Sequence, residues 1–108
     1  MTSDDILPTL SRLGLAINPA LRGTTFVLEP IPCFNGCPLG LYDSQTNTII
    51  LPPEFSPEAL IHEVGHRFGH YFSNDLSETY AERFRKRYSS GIDSGIAYFL
   101  GSLCYRCT

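Results

Sequence analysis

At 108 residues the chain holds one domain's worth of sequence, and its 43% hydrophobic and 18% charged content lies outside the low-hydrophobicity, high-charge composition of disordered chains. A formal net charge of −3 argues against nucleic acid as the main partner, since phosphates need a concentrated basic face, and no apolar run approaches the roughly 18 residues of a membrane span. Residues 1–5 are acidic and no signal-like apolar core follows them, so a single monomeric domain over residues 1–108, cytoplasmic or delivered without a signal peptide, is expected.

Asp4 and Asp5 precede Ile6, Leu7, Leu10 and Leu13, a helical spacing closed by Gly14, which predicts a short amphipathic N-terminal helix with Pro8 tolerated near its first turn. Residues 24–29 are rich in strand formers and are stopped by Pro30 and Pro32. Residues 39–42 and 48–51, separated by a five-residue loop, read as a hairpin that ends at Pro52 and Pro53. Ser56, Pro57 and Glu58 then supply a cap, a proline at the first helical position and an acid in the first turn of a longer helix. After the polar break at Ser73, Asn74 and Asp75, another helix is predicted from about residue 77 to 88, with Tyr80, Ala81, Phe84 and Tyr88 on one face. Its basic cluster, Arg83, Arg85, Lys86 and Arg87, sits in the last turns, where cations complement the negative end of the macrodipole. A third packing helix is expected over residues 96–103, with Asp93 as its cap. The expected fold class is α+β: an N-terminal helix, a small antiparallel sheet of about three strands, a metal-binding helix and the helices that follow it.

The metal-binding assignment rests on His62-Glu63-Val64-Gly65-His66, an H-E-x-x-H pattern. Residues four apart on a helix share a face about 6 Å apart along the axis, so the two imidazoles converge on one ion. Glu63 faces the same opening, placed to take a proton from water that the metal has acidified. On a helical wheel Ile61, Val64 and Phe68 cluster together, about 150° from the histidines, so the core face and the metal face are separate. Gly65 and Gly69 flank the histidines, where a missing side chain lets another backbone approach closely; the alternative is simple helix weakening of about 1 kcal/mol each relative to alanine.

An open catalytic zinc takes three protein ligands. His70 stands about 12 Å along the axis from His62, too far for one ion, and the longer H-E-x-x-H-x-x-G-x-x-H pattern fails because position 72 is Phe72. Glu78, on the following helix, is the better candidate. It also reads as the third position of a capping box begun by Asp75, so ligand and cap both stand open.

The segment Glu78-Thr79-Tyr80-Ala81-Glu82-Arg83-Phe84 resembles the E-x-x-A-E-x-F segment of the anthrax lethal factor-like peptidases and the related Pro-Pro endopeptidases, where it follows an H-E-x-x-H helix. The likeness covers residues 60–84, about a quarter of the chain. It implies a minimal zincin-like domain of the gluzincin type, with Glu78 as third zinc ligand beside His62 and His66, and Glu82 supporting the site from behind. It further implies that Tyr71, seven residues before Glu78, stabilises the oxyanion; simple packing is the other role open to Tyr71. The implied activity is zinc-dependent endopeptidase hydrolysis of a peptide or protein substrate by metal-activated water, with Glu63 as general base. The connection between His66 and Glu78 is much shorter than in the toxin, so the second helix must return almost at once. An extended peptide is expected to pair with an open edge at Thr48–Leu51. The rival expectations are a catalytically inactive structural or binding module that a metal stabilises, and a nucleic-acid or protein-binding zinc module built on the cysteines.

Cys33-x-x-x-Cys37 and Cys104-x-x-Cys107 together match a four-thiolate structural zinc site, a second Zn2+ beside the catalytic one. Disulfides or buried apolar thiols are the alternatives. With no signal peptide evident, reduced thiols or a metal are expected ahead of a disulfide framework.

Overall fold

The computed structural model describes residues 1–33 and 36–88. Within them the chain is α+β, in the order α1 (Ile6–Arg12), β1 (Thr25–Leu28), β2 (Leu41–Asp43), β3 (Thr48–Leu51), α2 (Pro57–Ser73) and α3 (Glu78–Tyr88).

The short connection between β2 and β3 makes them an antiparallel hairpin, with Tyr42 opposite Ile49, as the turn residues at 43–47 predict. β1 pairs with the other side of β3, and there the strands run parallel, Phe26 beside Ile49 and Leu28 beside Leu51. The sheet is therefore mixed, in the order β1-β3-β2, and not the antiparallel sheet expected. A parallel pair needs a crossover of about a dozen residues or more, and residues 29–47 provide it, with β2 formed inside the connection. In this register Phe26, Ile49 and Tyr42 form one row across the sheet and pack into the core. β3 lies between two partners, so the open edge expected at Thr48–Leu51 is absent, and among the described residues β1 and β2 are the edges.

Ile49 and Leu51 are fully buried, and they meet Leu60, Ile61 and Val64 of α2 in a core that α1 closes with Ile6 and Leu10. α2 begins at Ser56, whose Oγ accepts the Ala59 N–H at 3.2 Å, with Pro57 at its first position. It ends at Asn74, whose φ of 48° turns the chain through the left-handed region that asparagine tolerates better than most residues. The Asp75 N–H then returns to the Gly69 carbonyl at 2.9 Å, which folds α3 back along α2.

The two helices touch where α2 has no side chains. A Cβ on Gly65 would stand 3.0 Å from the Ala81 carbonyl oxygen; one on Gly69 would clash with the Asp75 carbonyl and lie 2.8 Å from the Tyr80 ring. Phe68 and Phe84 pack beside this seam with ring centres 4.7 Å apart and planes tilted by 53°.

Cys33 and Cys37 form a disulfide, their Cα atoms 4.3 Å apart in a loop that turns at Gly36, φ 119°. The two sulfurs are thereby committed to each other, which corrects the expected four-thiolate zinc site and, at these two positions, the expected reduced thiols. Cys104, Cys107, Asp93 and the helix expected over 96–103 lie outside the described residues.

Gly69→Ala tests the seam. The methyl gains about 1 kcal/mol of helix propensity but must displace the Asp75 carbonyl and the Tyr80 ring, at an overpacking cost of about 1–3 kcal/mol. Thermal melting should show a net loss, with Tm falling roughly 4–8 °C per kcal/mol. An unchanged or higher Tm would mean the helices do not approach so closely.

Candidate metal centre

Helical spacing sets His62 and His66 one above the other on α2, with ring centres 5.0 Å apart and planes at 77°. Both are buried, at 1% and 0% exposure. α3 delivers Glu78 to the same point: Oε2 lies 2.9 Å from His62 Nε2 and Oε1 lies 3.2 Å from His66 Nε2. Ligand atoms of the three residues fall within 4.8 Å of one another, the arrangement a metal ion would bridge.

Glu78 is available for this because another residue caps α3. Ser77 Oγ accepts the Tyr80 N–H at 3.2 Å, and Asp75 Oδ1 accepts the Ser77 N–H at 2.8 Å. Ser77 is thus the N-cap, and Glu78 stands at the first helical position with its carboxylate turned towards α2.

Behind His62, Glu82 Oε2 lies 3.0 Å from Nδ1. The other oxygen of that carboxylate accepts from Arg85, from Nε at 2.8 Å and also from Nη2. Burial alone would raise both carboxyl pKa values. For Glu78 the close contacts and charges of His62 and His66 outweigh it; for Glu82 the Arg85 guanidinium does so first and His62 second, and both acids lie below their ordinary range.

A cation suits the polar atoms that these contacts leave over. His66 Nε2 and Glu78 Oε1 are buried and face each other at 3.2 Å without hydrogen-bond geometry. Buried polar atoms are ordinarily satisfied, and two imidazoles with one carboxylate are a familiar donor set for a divalent ion. Glu78 and Glu82, with Thr79, Arg83 and Lys86, also line a cleft open to solvent.

Glu63 is fully buried beside the histidines, and its side chain lies against Gly40, where a Cβ would stand 2.7 Å from Glu63 Cγ. Gly40 immediately precedes β2, so the sheet edge begins at the Glu63 side chain. Tyr71 is not brought into the cluster: it is still on α2, 48% exposed, under the Arg67 guanidinium and edge-on to Phe72. By helical rotation it points about 160° away from the histidines. His70 is engaged elsewhere, its Nδ1 3.0 Å from the Tyr42 hydroxyl, to which Arg67 also donates at 3.2 Å.

Sequence reasoning missed Arg85 and Gly40. By sequence Arg85 belongs with the cations at the end of the helix, yet it is 3% exposed while Arg83, Lys86 and Arg87 face solvent. Its spacing from Glu82, three residues on the same helix, was the available signal. Gly40 carried none, because its role depends on a contact with a residue far along the chain. The chain matches no protein-family model, no curated protein and no solved structure.

The purified protein should bind one equivalent of a divalent transition metal. His66→Ala and Glu78→Ala should each weaken it by more than the roughly 10–100-fold typical of losing a supporting residue. Metal analysis and chelator competition measure this, and wild-type affinity in Glu78→Ala would move the third-ligand role elsewhere.

Proposed function

We propose that this chain is a zinc-dependent endopeptidase with a minimal zincin-like fold, similar in its site to the lethal factor-like and Pro-Pro endopeptidases. The observation that carries it is the convergence of His62 and His66 from one helix with Glu78 from the next, beside the buried Glu63. These three residues would hold the ion, and three protein ligands are the number a catalytic zinc takes beside water or substrate. Zinc bound there supplies Lewis acidity, which acidifies water and polarises the scissile carbonyl.

The chain's own residues do the rest. Glu63 accepts the proton of the attacking water as its oxygen bonds to the carbonyl carbon, then returns it to the amide nitrogen as the C–N bond breaks. No covalent link to the protein forms. Glu82 orients His62 through Nδ1, so that Nε2 presents its lone pair to the metal. An extended peptide is best accommodated on β2, an edge strand that starts where Gly40 meets Glu63. Tyr71, on the far side of α2, has no part in this scheme.

Among the described residues no helix is long and apolar enough to cross a membrane. The Cys33–Cys37 disulfide is better suited to an oxidising compartment than to the cytoplasm. The rival, an inactive module stabilised by metal, is favoured by one feature: His62, Glu63 and His66 are almost entirely buried.

Glu63→Gln separates the two. The amide is nearly isosteric but cannot take the proton, so zinc content and Tm should hold while peptide hydrolysis falls about 10²–10⁴-fold. Cleavage of a peptide library, followed by mass spectrometry, reads the outcome. Full activity in the variant would defeat the general-base role; a zinc-loaded wild type that cuts nothing would favour the inactive module.

A further inference from the structure

Among the four cations near the end of α3, Arg85 alone is turned inwards. A guanidinium in that position needs an anionic partner to offset its lost hydration. It has one in Glu82, which lies one turn back on the same helix and takes two of its donors on a single oxygen, Oε1. The second oxygen, Oε2, is thereby left for His62 Nδ1 at 3.0 Å, and the opposite nitrogen of that ring, Nε2, is 2.9 Å from the Glu78 carboxylate. Positions 78, 82 and 85 follow the i, i+4, i+7 rhythm of one helical face, so α3 presents a ligand, its support and the support's anchor together.

The geometry points to Arg85 as a positioning residue for the metal: it clamps one oxygen of Glu82 so that the other holds His62 in the tautomer and orientation that ligation requires. A carboxylate free to rotate would divide its time among other donors, and the His62 ring would lose its fixed direction. Arg85 touches neither the ion nor the substrate, and its effect passes only through Glu82. This role presupposes the metal site proposed above, but not peptide hydrolysis.

Zinc affinity of the full chain, measured by chelator competition, tests it with Arg85→Met, Glu82→Gln and the double variant. Arg85→Met should weaken zinc binding about tenfold and Glu82→Gln about 10–100-fold. The double variant should bind no more weakly than Glu82→Gln alone, because both changes break the same link. Arg85→Lys, which keeps the charge but not the fork, should recover part of the loss. The His62 Nδ1 proton, seen by NMR in the zinc-loaded wild type, should broaden or vanish in Arg85→Met. If Arg85→Met does not fold, Arg85→Gln takes its place with the same expectation. Unchanged zinc affinity in a folded Arg85 variant, or losses that simply add in the double variant, would overturn the inference while leaving the metal site intact. A wild type that binds no zinc would overturn both.

Discussion

The close approach of α3 to α2 is the constraint on which the candidate site depends. Two glycines one turn apart on α2 leave a groove, and the backbone of α3 and its leading turn occupy it. Only at that separation does Glu78, the first residue of α3, reach both histidines, and only then can Glu82 meet the back of His62. The turn between the helices is correspondingly tight. Asn74 takes a left-handed conformation, Asp75 returns its N–H to Gly69, and Ser77 caps the new helix, so three consecutive local solutions leave Glu78 uncommitted to the backbone. Helix propensity given up at the glycines is offset by what the short separation allows.

Burial and charge oppose each other at this site. Two imidazoles are almost wholly removed from water, and two carboxylates are partly removed with them. Desolvation disfavours the ionised acids, yet the combined pull of His62, His66 and Arg85 keeps both below their ordinary range. His62 stands between two carboxylates, one at each ring nitrogen, while His66 has neither nitrogen hydrogen-bonded. That asymmetry suits a metal ion that His66 Nε2 and Glu78 Oε1 would help to hold, with the Glu82 contact to His62 left in place.

The sheet contributes less to the binding set than to the placement of Glu63. β3, the most deeply buried strand, carries α2 on its face through Ile49 and Leu51. β2 runs beside it, and the residue just before β2 is a glycine pressed against Glu63. A larger residue there would have to move the carboxylate, so the edge strand and the acid are held in register by an absent side chain. The disulfide between Cys33 and Cys37 closes the loop that leads into this segment.

Much of this was legible in the chain because the relevant forces are local. The i, i+4 spacing of His62 and His66, the separate apolar stripe of Ile61, Val64 and Phe68, and the Ser56-Pro57 start each act within a turn or two of helix, and each survives intact. The hairpin of β2 and β3 is likewise set by its own short turn. The parallel placement of β1 was not legible, because a long connection leaves the direction of pairing to whatever buries Phe26 and Leu28. Nor were the cap at Ser77 in place of Asp75, the inward turn of Arg85 or the contact of Gly40 with Glu63, since each is decided by which neighbour the folded chain brings within reach. By itself the sequence determined which helix could carry two ligands and which glycines would permit a close neighbour. Only the tertiary structure brought Glu78 against both histidines and set Glu82 and Arg85 behind His62, because such contacts are a matter of distances between segments, and spacing along one helix does not contain them.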